Sequence, residues 1–383
     1  MLLIHVTTVP FTFIFFYGQI GYMLDRGFEV HGVSSSTNGD LKAVAARENI
    51  PMHAIDMTRR INPLADLGAL TRLYRLFRKL KPAIVHAHTP KGGLLGVLAA
   101  RLARVPVVIY GMHGLPFVTA NGLKGKLLCW TEAISCRIAH RVIAVSFSMR
   151  QRALAEGFCR EDKIRVLGLG SANGVDAKDR FNPEKLRPGV REETREIYHI
   201  PEGSLVLGFV GRIVKDKGII ELAEAWNLLR TEFPSLYLIL VGAVESQDPV
   251  PPPILKQLEA DPRVRFCGHV SDPIPLYAIM DILTLPTYRE GFPVSVLEAA
   301  AMQLPVVATK VDGCTEAVVD GTTGVLVLPQ NATELAQAIS WLLVNPELRR
   351  RMGEASRQRV LREFRPEIVC QALYKNYLEL CNN

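Results

Sequence analysis

The segment DILTLPTYREGFPVSVLEAAAMQLPVVATKVDG (281–313) contains a complete strand–loop–helix–strand unit. The apolar run ILTL is typical of a buried strand, VSVLEAAAM is typical of a helix, and PVVAT is typical of a second strand. Strands joined through a helix in this way usually form a parallel pair. The segment therefore predicts an α/β domain in which the loop TYREGF lies at the carboxyl edge of the sheet, where ligands bind.

Two glutamates, Glu290 and Glu298, lie eight positions apart on either side of the predicted helix start. Pro293 is expected in the first helical turn, where its missing N–H costs nothing, and the free backbone N–H groups around it favour phosphate. Ionised carboxylates accept hydrogen bonds from pairs of hydroxyls. Together these features predict a nucleotide-sugar site, although glutamates that only favour the helix dipole would give the same spacing.

A second motif, LGFVGRIVKDKG (207–218), places two cations in the turn that follows a strand. Arg212 and Lys217 in this position are suited to neutralise a diphosphate and to hold it as a leaving group. Exposed loop cations without a ligand are the alternative. No D-x-D sequence occurs in the chain, so we expect a diphosphate site that needs no metal and no other cofactor.

Strand-like and helix-like segments alternate in two series on either side of SANGVDAKDRFNPEKLRPG (171–189), which reads as a linker. This alternation predicts two doubly wound, Rossmann-like α/β domains that face each other across a cleft. We place the first domain at residues 1–180 and the second at 181–365. A C-terminal helix at about 366–383, after the break at Pro366, is expected to cross back onto the first domain.

The N-terminal segment MLLIHVTTVPFTFIFFYGQIGYML (1–24) contains no charged side chain. It lacks the basic region and cleavage site of a signal peptide, and Pro10 and Gly18 interrupt it too early for a membrane span. We predict a strand from Leu2 to Val6, a loop, and a helix from about Phe15 to Arg26. The aromatic loop is also a candidate for shallow contact with a membrane.

Charge is distributed unevenly along the chain. Residues 1–150 carry 18 Lys and Arg against 7 Asp and Glu, a net charge of +11, and the remainder carries −4. No zinc-finger, RRM or helix-turn-helix pattern supports nucleic acid, so we expect an anionic membrane surface facing the first domain. The basic helix DLGALTRLYRLFRKLK (66–81) fits such a surface, or equally an ordinary helix packed on the sheet. The seven cysteines include no C-x-x-C pair, which indicates reduced thiols in a cytosolic protein.

The motifs resemble those of family 4 retaining glycosyltransferases, which have the GT-B fold. EGFPVSVLEA (290–299) resembles the family's E-x7-E signature, GRIVKDKG (211–218) its GR…KG motif, and NGVDAKDRF (173–181) its interdomain segment. The chain is also similar to bacterial enzymes of capsule, O-antigen and lipid-linked oligosaccharide assembly. One of these adds N-acetylgalactosamine to lipid-linked diacetylbacillosamine.

The resemblance implies roles for individual residues. Four residues are implied to be catalytic: His113, Glu290, Arg212 and Lys217. The residues implied to bind the donor include three of these four. The donor-binding set is Arg212, Lys217, Val270, Glu290, Gly291, Phe292, Pro293, Val294 and Glu298. Arg212 and Lys217 would bind the diphosphate, Glu298 the ribose hydroxyls, and Glu290 with the following backbone the sugar and phosphates. His113 would lie beside the sugar, and the backbone at Val270 beside the uracil.

Two further sequence features qualify this assignment. His86 and His88 alternate at a strand end, and we expect a structural or acceptor-side role for them rather than metal binding. Many family members have a Gly-Gly pair in the first loop, whereas this chain has TTVPFTFIFF (7–16), so no donor contact is assigned there.

The implied reaction moves a sugar, expected to be an N-acetylhexosamine, from a UDP-sugar to a polyprenyl-diphosphate-linked saccharide. Such an enzyme would be cytoplasmic and peripheral on the inner face of a bacterial plasma membrane. Two alternatives stay open: a non-hydrolysing UDP-sugar epimerase, and a catalytically silent sugar-nucleotide binder at the membrane. A nicotinamide-dependent oxidoreductase would need G-x-G-x-x-G after the first strand, where TTVPFTF stands instead.

Overall fold

The computed structural model describes residues 1–36, 41–58, 62–120 and 122–382. The chain divides into two compact units. One comprises Met1–Gly174 together with the segment that begins at Pro366, and the other is Val175–Arg365. The units therefore separate in sequence at Gly174, inside the predicted linker.

The first unit is built on a seven-stranded sheet in which all neighbouring strands are parallel. The strand order is β3-β2-β1-β4-β5-β6-β7. Its strands are β1 (Leu2–Val6), β2 (Glu29–Ser34), β3 (Met52–Ala54), β4 (Ile84–His88), β5 (Val107–Met112), β6 (Arg141–Ala144) and β7 (Ile164–Val166). The order reverses between β1 and β4, which is where open α/β sheets bind ligands.

Helices connect these strands as the alternating pattern predicts. They are α1 (Gln19–Leu24), α2 (Leu41–Glu48), α3 (Pro63–Leu80), α4 (Pro90–Leu102), α5 (Gly122–Ile138) and α6 (Phe147–Ala155). The basic helix α3 buries Ala69, Leu73 and Phe77 and leaves its arginines on the outer surface. Its apolar stripe is therefore used for packing inside the unit.

The helix predicted from Phe15 to Arg26 is shorter than expected. Residues Pro10–Phe16 form a 3₁₀ helix instead, and α1 begins only at Gln19, after Gly18 in the left-handed region with φ of 73°. In a 3₁₀ helix residues three apart share a face. Phe13 and Phe16 accordingly point into the core. Pro10, Phe13 and Phe16, which follow one another at intervals of three residues, thus lie on the buried face of the 3₁₀ helix.

The core of the first unit includes the end of the chain. Val369, Leu373 and Tyr377 pack with β1, β4 and β5 and with the aromatic residues of the N-terminal 3₁₀ helix. These three side chains belong to the C-terminal helix, Pro366–Asn382. Sequence-distant segments therefore complete this core, and the last helix is an integral part of it.

The second unit is a six-stranded parallel sheet of order β10-β9-β8-β11-β12-β13. Its strands are β8 (Val206–Val210), β9 (Tyr237–Val241), β10 (Val264–Gly268), β11 (Ile282–Leu285), β12 (Val306–Thr309) and β13 (Gly324–Val327). Its helices are α7 (Val190–Ile197), α8 (Ile219–Glu232), α9 (Pro252–Ala260), α10 (Ile274–Ile279), α11 (Val294–Ala301), α12 (Cys314–Ala317), α13 (Ala332–Leu343) and α14 (Pro346–Glu363). The segment 281–313 forms the predicted strand, helix and strand as β11, α11 and β12.

The helices were compared with the length and apolar character of a membrane span. None of those in the described residues combines the length and the apolar character that a membrane span requires.

One carboxylate is buried in the first unit. Glu132 in α5 is 2% exposed and accepts a hydrogen bond of 2.6 Å from the Tyr110 hydroxyl, while its second oxygen has no partner among the described residues. Burial raises the pKa of Glu132 from 4.5 to about 7. Its place in the middle of a packed helix, bonded to a core tyrosine, indicates a structural group.

This shift predicts a pH-dependent stability. The unfolded carboxyl ionises near pH 4.5 and the folded one near pH 7, so the native state binds the extra proton and stability falls as the pH rises between these values. The loss is about 3 kcal/mol above pH 7. Glu132→Gln removes the charge and keeps a hydrogen-bonding group, so we expect it to be more stable than the parent near pH 8 and equal to it near pH 5. Urea unfolding at both pH values measures this.

The matched control is Glu161→Gln, which changes an exposed glutamate of the same unit. We expect the control to be neutral at both pH values. A Glu132→Gln variant that gains nothing near pH 8 would contradict a buried, proton-binding Glu132.

Candidate active site

The predicted donor-site residues of the second unit lie along the carboxyl edge of its sheet. The strand order reverses between β8 and β11, so the loops that follow these two strands are neighbours. Arg212 and Lys217 are in the loop after β8, and Glu290 is in the loop after β11. The fold therefore brings two motifs together that are more than 70 positions apart in the sequence.

A direct ion pair joins these motifs. The ammonium group of Lys217 donates a hydrogen bond to a carboxylate oxygen of Glu290, and the two side chains are only 15% and 14% exposed. An enclosed ion pair is screened less by water than a surface pair. Glu290 therefore neutralises the charge of Lys217, the cation that the sequence analysis assigned to a diphosphate.

Further contacts connect the same two loops. Arg289 forms an ion pair of 2.5 Å with Asp216, and the Thr287 hydroxyl donates to the backbone carbonyl of Asp216 at 3.1 Å. The backbone N–H of Tyr288 donates to that same carbonyl at 2.8 Å. The loop after β11 is thus held against the turn that carries Lys217.

Gly218 permits this close approach. Its φ is 71°, in the left-handed region, and a Cβ built on it would lie 1.9 Å from the carbonyl oxygen of Pro286. Only glycine meets both conditions without moving the backbone. The final glycine of GRIVKDKG therefore has a structural explanation that is independent of any ligand.

Arg212 is more accessible than Lys217. Its side chain is 46% exposed and forms an ion pair of 3.2 Å with Glu245, which follows β9. Surface pairs of this kind contribute little stability and exchange readily with other anions. Arg212 is therefore available to an anionic ligand at the cost of a weak ion pair.

Glu298 occupies a different environment. It lies in α11, is half-buried, and accepts a hydrogen bond of 2.8 Å from the Tyr277 hydroxyl. Burial raises the pKa of Glu298 from 4.5 to about 7, and the Tyr277 hydrogen bond and the charge of Arg180 oppose that rise. Near pH 7 this carboxyl is accordingly in balance between its neutral and ionised forms.

The start of α11 differs slightly from the prediction. Pro293 is the residue immediately before the helix, with ψ of 103°, and Val294 is the first helical residue. Within the described residues no side chain caps this helix start. The N–H of Val296 donates to the carbonyl of Pro293 at 3.2 Å, while the N–H groups of the first two helical residues lie where an anionic ligand would bind. Phe292 is buried against Phe364, with ring centroids 5.5 Å apart. This packing fixes the loop rather than forming part of a polar site.

The other predicted residues lie in separate places. Val270 follows β10 at the end of the same sheet edge, with β9 between it and the Arg212 loop. His113 belongs to the first unit and follows β5, beside His86 and His88 of β4. Within the described residues, His5, His86 and His88 are a group whose ring nitrogens lie within 4.8 Å of one another and could hold a metal ion.

Several residues of this site escaped the sequence analysis. Tyr277 donates to Glu298, Glu245 pairs with Arg212, and Arg289 pairs with Asp216 beside the two predicted residues Glu290 and Lys217. No spacing in the sequence marks these pairs, because each member lies in a different loop or helix from its partner. The motifs GRIVKDKG and TYREGF contain Asp216 and Arg289 and gave a partial signal for that pair.

Family models and known proteins match this architecture. A model described as "Glycosyl transferase 4-like domain" matches residues 16–170, and one described as "Glycosyl transferases group 1" matches residues 190–359. The capsular polysaccharide biosynthesis glycosyltransferase CapM of Staphylococcus aureus is 35% identical over 97% of this chain and 96% of CapM. This chain is a family 4 glycosyltransferase.

Other similarities support the same assignment. The glycosyltransferase is 28% identical, over 84% of each chain, to the Campylobacter jejuni N,N'-diacetylbacillosaminyl-diphospho-undecaprenol alpha-1,3-N-acetylgalactosaminyltransferase. Anabaena HepE, solved in complex with UDP and glucose, superposes with a TM-score of 0.83 at 20% identity, covering 99% of this chain and all of HepE. WaaG, a glycosyltransferase involved in lipopolysaccharide biosynthesis, superposes with a TM-score of 0.76 at 15% identity over the whole of both chains. The predicted family and GT-B fold are confirmed.

Gly313 provides a test of how the site loop is held. A Cβ on Gly313 would lie 2.4 Å from the carbonyl oxygen of Gly291, and its φ is 76°. Gly313→Ala should therefore combine backbone strain of about 1–2 kcal/mol with displacement of the loop before α11. We expect a loss of stability above that range, measured by urea unfolding.

Gly321→Ala is the matched control, since Gly321 has φ of 72° but open space around its Cβ position. It isolates the backbone strain from the steric contact. If both variants lose the same free energy of unfolding, the close contact between Gly313 and Gly291 does not limit which residue position 313 can hold.

Proposed function

We propose that this glycosyltransferase transfers a sugar, an N-acetylhexosamine in the first instance, from a UDP-sugar to a polyprenyl-diphosphate-linked saccharide, with retention of configuration. The observation that carries the donor half of this proposal is the grouping of Arg212, Lys217, Glu290 and the uncapped start of α11 at one sheet edge. Such a grouping offers cations and backbone N–H groups to phosphates and carboxylates to hydroxyls.

The choice of UDP rests on likeness to other proteins. HepE is a structural neighbour that was solved with UDP and glucose. The Escherichia coli relative, 28% identical over 67% of this chain, is named for a UDP-galactose donor and a diphosphoundecaprenol-linked acceptor. The acceptor class is supported by the names of this relative and the C. jejuni one.

We assign the donor contacts as follows. Arg212 and Lys217 bind the diphosphate, with Lys217 sharing its charge between Glu290 and the phosphates. Glu298 accepts the ribose hydroxyls, and its raised pKa of about 7 means that this acceptor function strengthens as the carboxyl ionises. Glu290 and the backbone at Gly291–Val294 face the sugar and phosphates, Val270 the uracil, and His113 the sugar. No metal or other cofactor is part of the proposal.

The proposed chemical step is a front-face displacement. The bond between the anomeric carbon and the β-phosphate oxygen breaks as the acceptor oxygen forms its bond to that carbon from the same face. The acceptor proton passes to an oxygen of the departing β-phosphate, so UDP and the glycoside are the products. Arg212 and Lys217 stabilise the charge that develops on the phosphate, which is where a fixed cation gains most.

One screen tests the reaction. UDP-, GDP- and ADP-sugars are incubated with the protein, with and without short-chain polyprenyl-diphosphate saccharides, and nucleotide release and product configuration are measured. We expect release from a UDP-N-acetylhexosamine that depends on the acceptor. An epimerase would change the UDP-sugar without any acceptor, and a silent binder would bind UDP without releasing it from the sugar.

The leaving-group role predicts the effect of removing each cation. Arg212→Ala and Lys217→Met should lower kcat by about 10²- to 10³-fold, while the Kd for UDP rises much less, because the charge that they stabilise develops in the transition state. Lys256→Ala, which removes a lysine from the exposed surface of α9, is the control and should leave both constants unchanged. Equal losses in kcat and in UDP affinity would show that the cations only bind the nucleotide.

We also propose peripheral attachment to the inner face of a bacterial plasma membrane through the first unit. The first half of α5 exposes Leu123 (86%) and Trp130 (61%) on either side of Lys124 and Lys126. Exposed apolar side chains next to lysines are suited to an anionic lipid surface. A cavity of about 520 Å³ beside this helix is lined by Phe117, Trp130, Phe158 and Lys126 among others, which suits an amphiphilic acceptor.

Vesicle binding tests this attachment. The double variant Leu123→Ser, Trp130→Ser should bind vesicles containing phosphatidylglycerol at least about tenfold more weakly than the parent, because both side chains bury apolar surface in the lipid. Trp341→Ser, which removes an exposed tryptophan from α13 of the second unit, is the control and should bind like the parent. Binding that is identical for the double variant and the parent would place the membrane surface elsewhere.

A further inference from the structure

Three buried histidines and a fourth, partly buried one form a cluster at the carboxyl edge of the first sheet. His5 is in β1, His86 and His88 are in β4, and His113 follows β5, and these three strands are neighbours. Nδ1 of His5 lies 3.0 Å from Nε2 of His88, and Nδ1 of His88 lies 2.9 Å from Nε2 of His113. Phe16 covers the cluster, with its ring centroid 4.4 Å from that of His88. The cluster therefore contains a continuous chain of hydrogen bonds from His5 to His113.

Burial keeps these imidazoles neutral. It lowers the pKa of His5 to about 3 and that of His113 to about 4, and it lowers the pKa of His86 and His88 well below the usual value. A neutral imidazole has one N–H and one unprotonated nitrogen. Since both nitrogens of His88 are engaged, it donates through one and accepts through the other. The chain must therefore run in a single direction.

An unpaired nitrogen decides that direction. Nε2 of His5 is buried and has no hydrogen-bond partner in the part of the chain that the structure describes. If His5 accepted through Nδ1, its only proton would be on Nε2, as a buried N–H without an acceptor. Buried N–H groups without acceptors are rarer in proteins than unpaired acceptors. Donation from His5 to His88, and from His88 to His113, leaves only an unpaired lone pair.

We propose that His88 is a positioning residue that holds His113 as the Nδ1–H tautomer and fixes the orientation of its ring. Nε2 of His113 then accepts from His88, and Nδ1 carries a proton. Within the described part of the chain Nδ1 of His113 forms no hydrogen bond, so its N–H is available to donate to an oxygen of a bound ligand. The catalytic consequence rests on the proposed function, in which that oxygen belongs to the donor sugar.

Gly111 makes room for the bond between His88 and His113. A Cβ built on Gly111 would lie 2.5 Å from Nδ1 of His88 and 3.1 Å from Nε2 of His113, the two atoms that share the hydrogen bond. An alanine there would push the two rings apart while keeping both histidines. This glycine therefore provides a way to break the bond without removing either imidazole.

A metal ion explains the cluster less well. His5, His86 and His88 are close enough to be considered as ligands, but a divalent ion would bring two positive charges into a site enclosed by Phe16 and Tyr377. The hydrogen-bond partners of the cluster in the described residues include no carboxylate. A buried charge without a counter-charge is costly, so the neutral hydrogen-bonded chain is favoured.

Nitrogen NMR of the full-length protein tests the tautomer directly and needs no substrate. Histidine is labelled with ¹⁵N, long-range ¹H–¹⁵N correlations report which nitrogen of each ring is protonated, and His113→Gln assigns the signals of His113. We expect protonated Nδ1 and unprotonated Nε2 at His113 in the parent, and loss of this single tautomer in His88→Phe and Gly111→Ala. A protonated Nε2 at His113, or a tautomer unchanged in both variants, would overturn the proposal. Stoichiometric bound metal in the purified protein would also overturn it.

Activity provides a second measurement. His88→Phe and Gly111→Ala should lower kcat by about 10- to 100-fold, as loss of an orienting partner usually does, with little change in KM for the donor. The control is His53→Gln, which removes one ring from a separate histidine pair, 3.1 Å from His31, and should leave kcat unchanged. Unchanged kcat in His88→Phe, with an altered tautomer, would overturn the catalytic consequence. If no donor turns over at all, the proposed function fails, while the NMR result still decides the tautomer.

Discussion

The contact on which the proposed donor site depends is the ion pair between Lys217 and Glu290. It joins two loops that follow adjacent strands, β8 and β11, at the position where the strand order reverses. At such a position one chain segment leaves the sheet in each direction, and a gap opens between the two loops. Here opposite charges and the backbone contacts of Asp216 hold the two loops together. An anionic ligand that enters must share or replace these charge pairs.

Two glycines allow the loops to reach this arrangement. Gly218 lies against the backbone of Pro286, and Gly313 lies against that of Gly291, both with positive φ. Side chains at either position would separate the segments that carry Lys217, Glu290 and the start of α11. The charged groups are therefore positioned by backbone contacts that involve no charge. The backbone contact of Gly218 explains why a glycine follows Lys217 in GRIVKDKG.

Burial controls protonation in both units. Glu132 and Glu298 each have a pKa raised to about 7 by loss of hydration, and each is bonded to a tyrosine hydroxyl. The histidines around His88 have lowered pKa values for the same reason. The two glutamates differ in setting, since Glu132 is enclosed in a helix layer and Glu298 is half-buried in α11. The same loss of hydration thus raises the pKa in a fully packed setting and in a partly exposed one.

The amino-acid sequence by itself determined the alternation of strands and helices, the parallel sheets, and the family motifs around Arg212, Lys217 and Glu290. These features depend on short-range periodicity and on local spacing, which a sequence displays directly. The contacts of Arg212 with Glu245, of Glu298 with Tyr277 and of Asp216 with Arg289 were decided only by the tertiary structure. So were the 3₁₀ helix at Pro10–Phe16 and the histidine chain that ends at His113. Such contacts join side chains from different strands and helices, and their energies depend on burial and on distance in space, neither of which is written in the order of the residues.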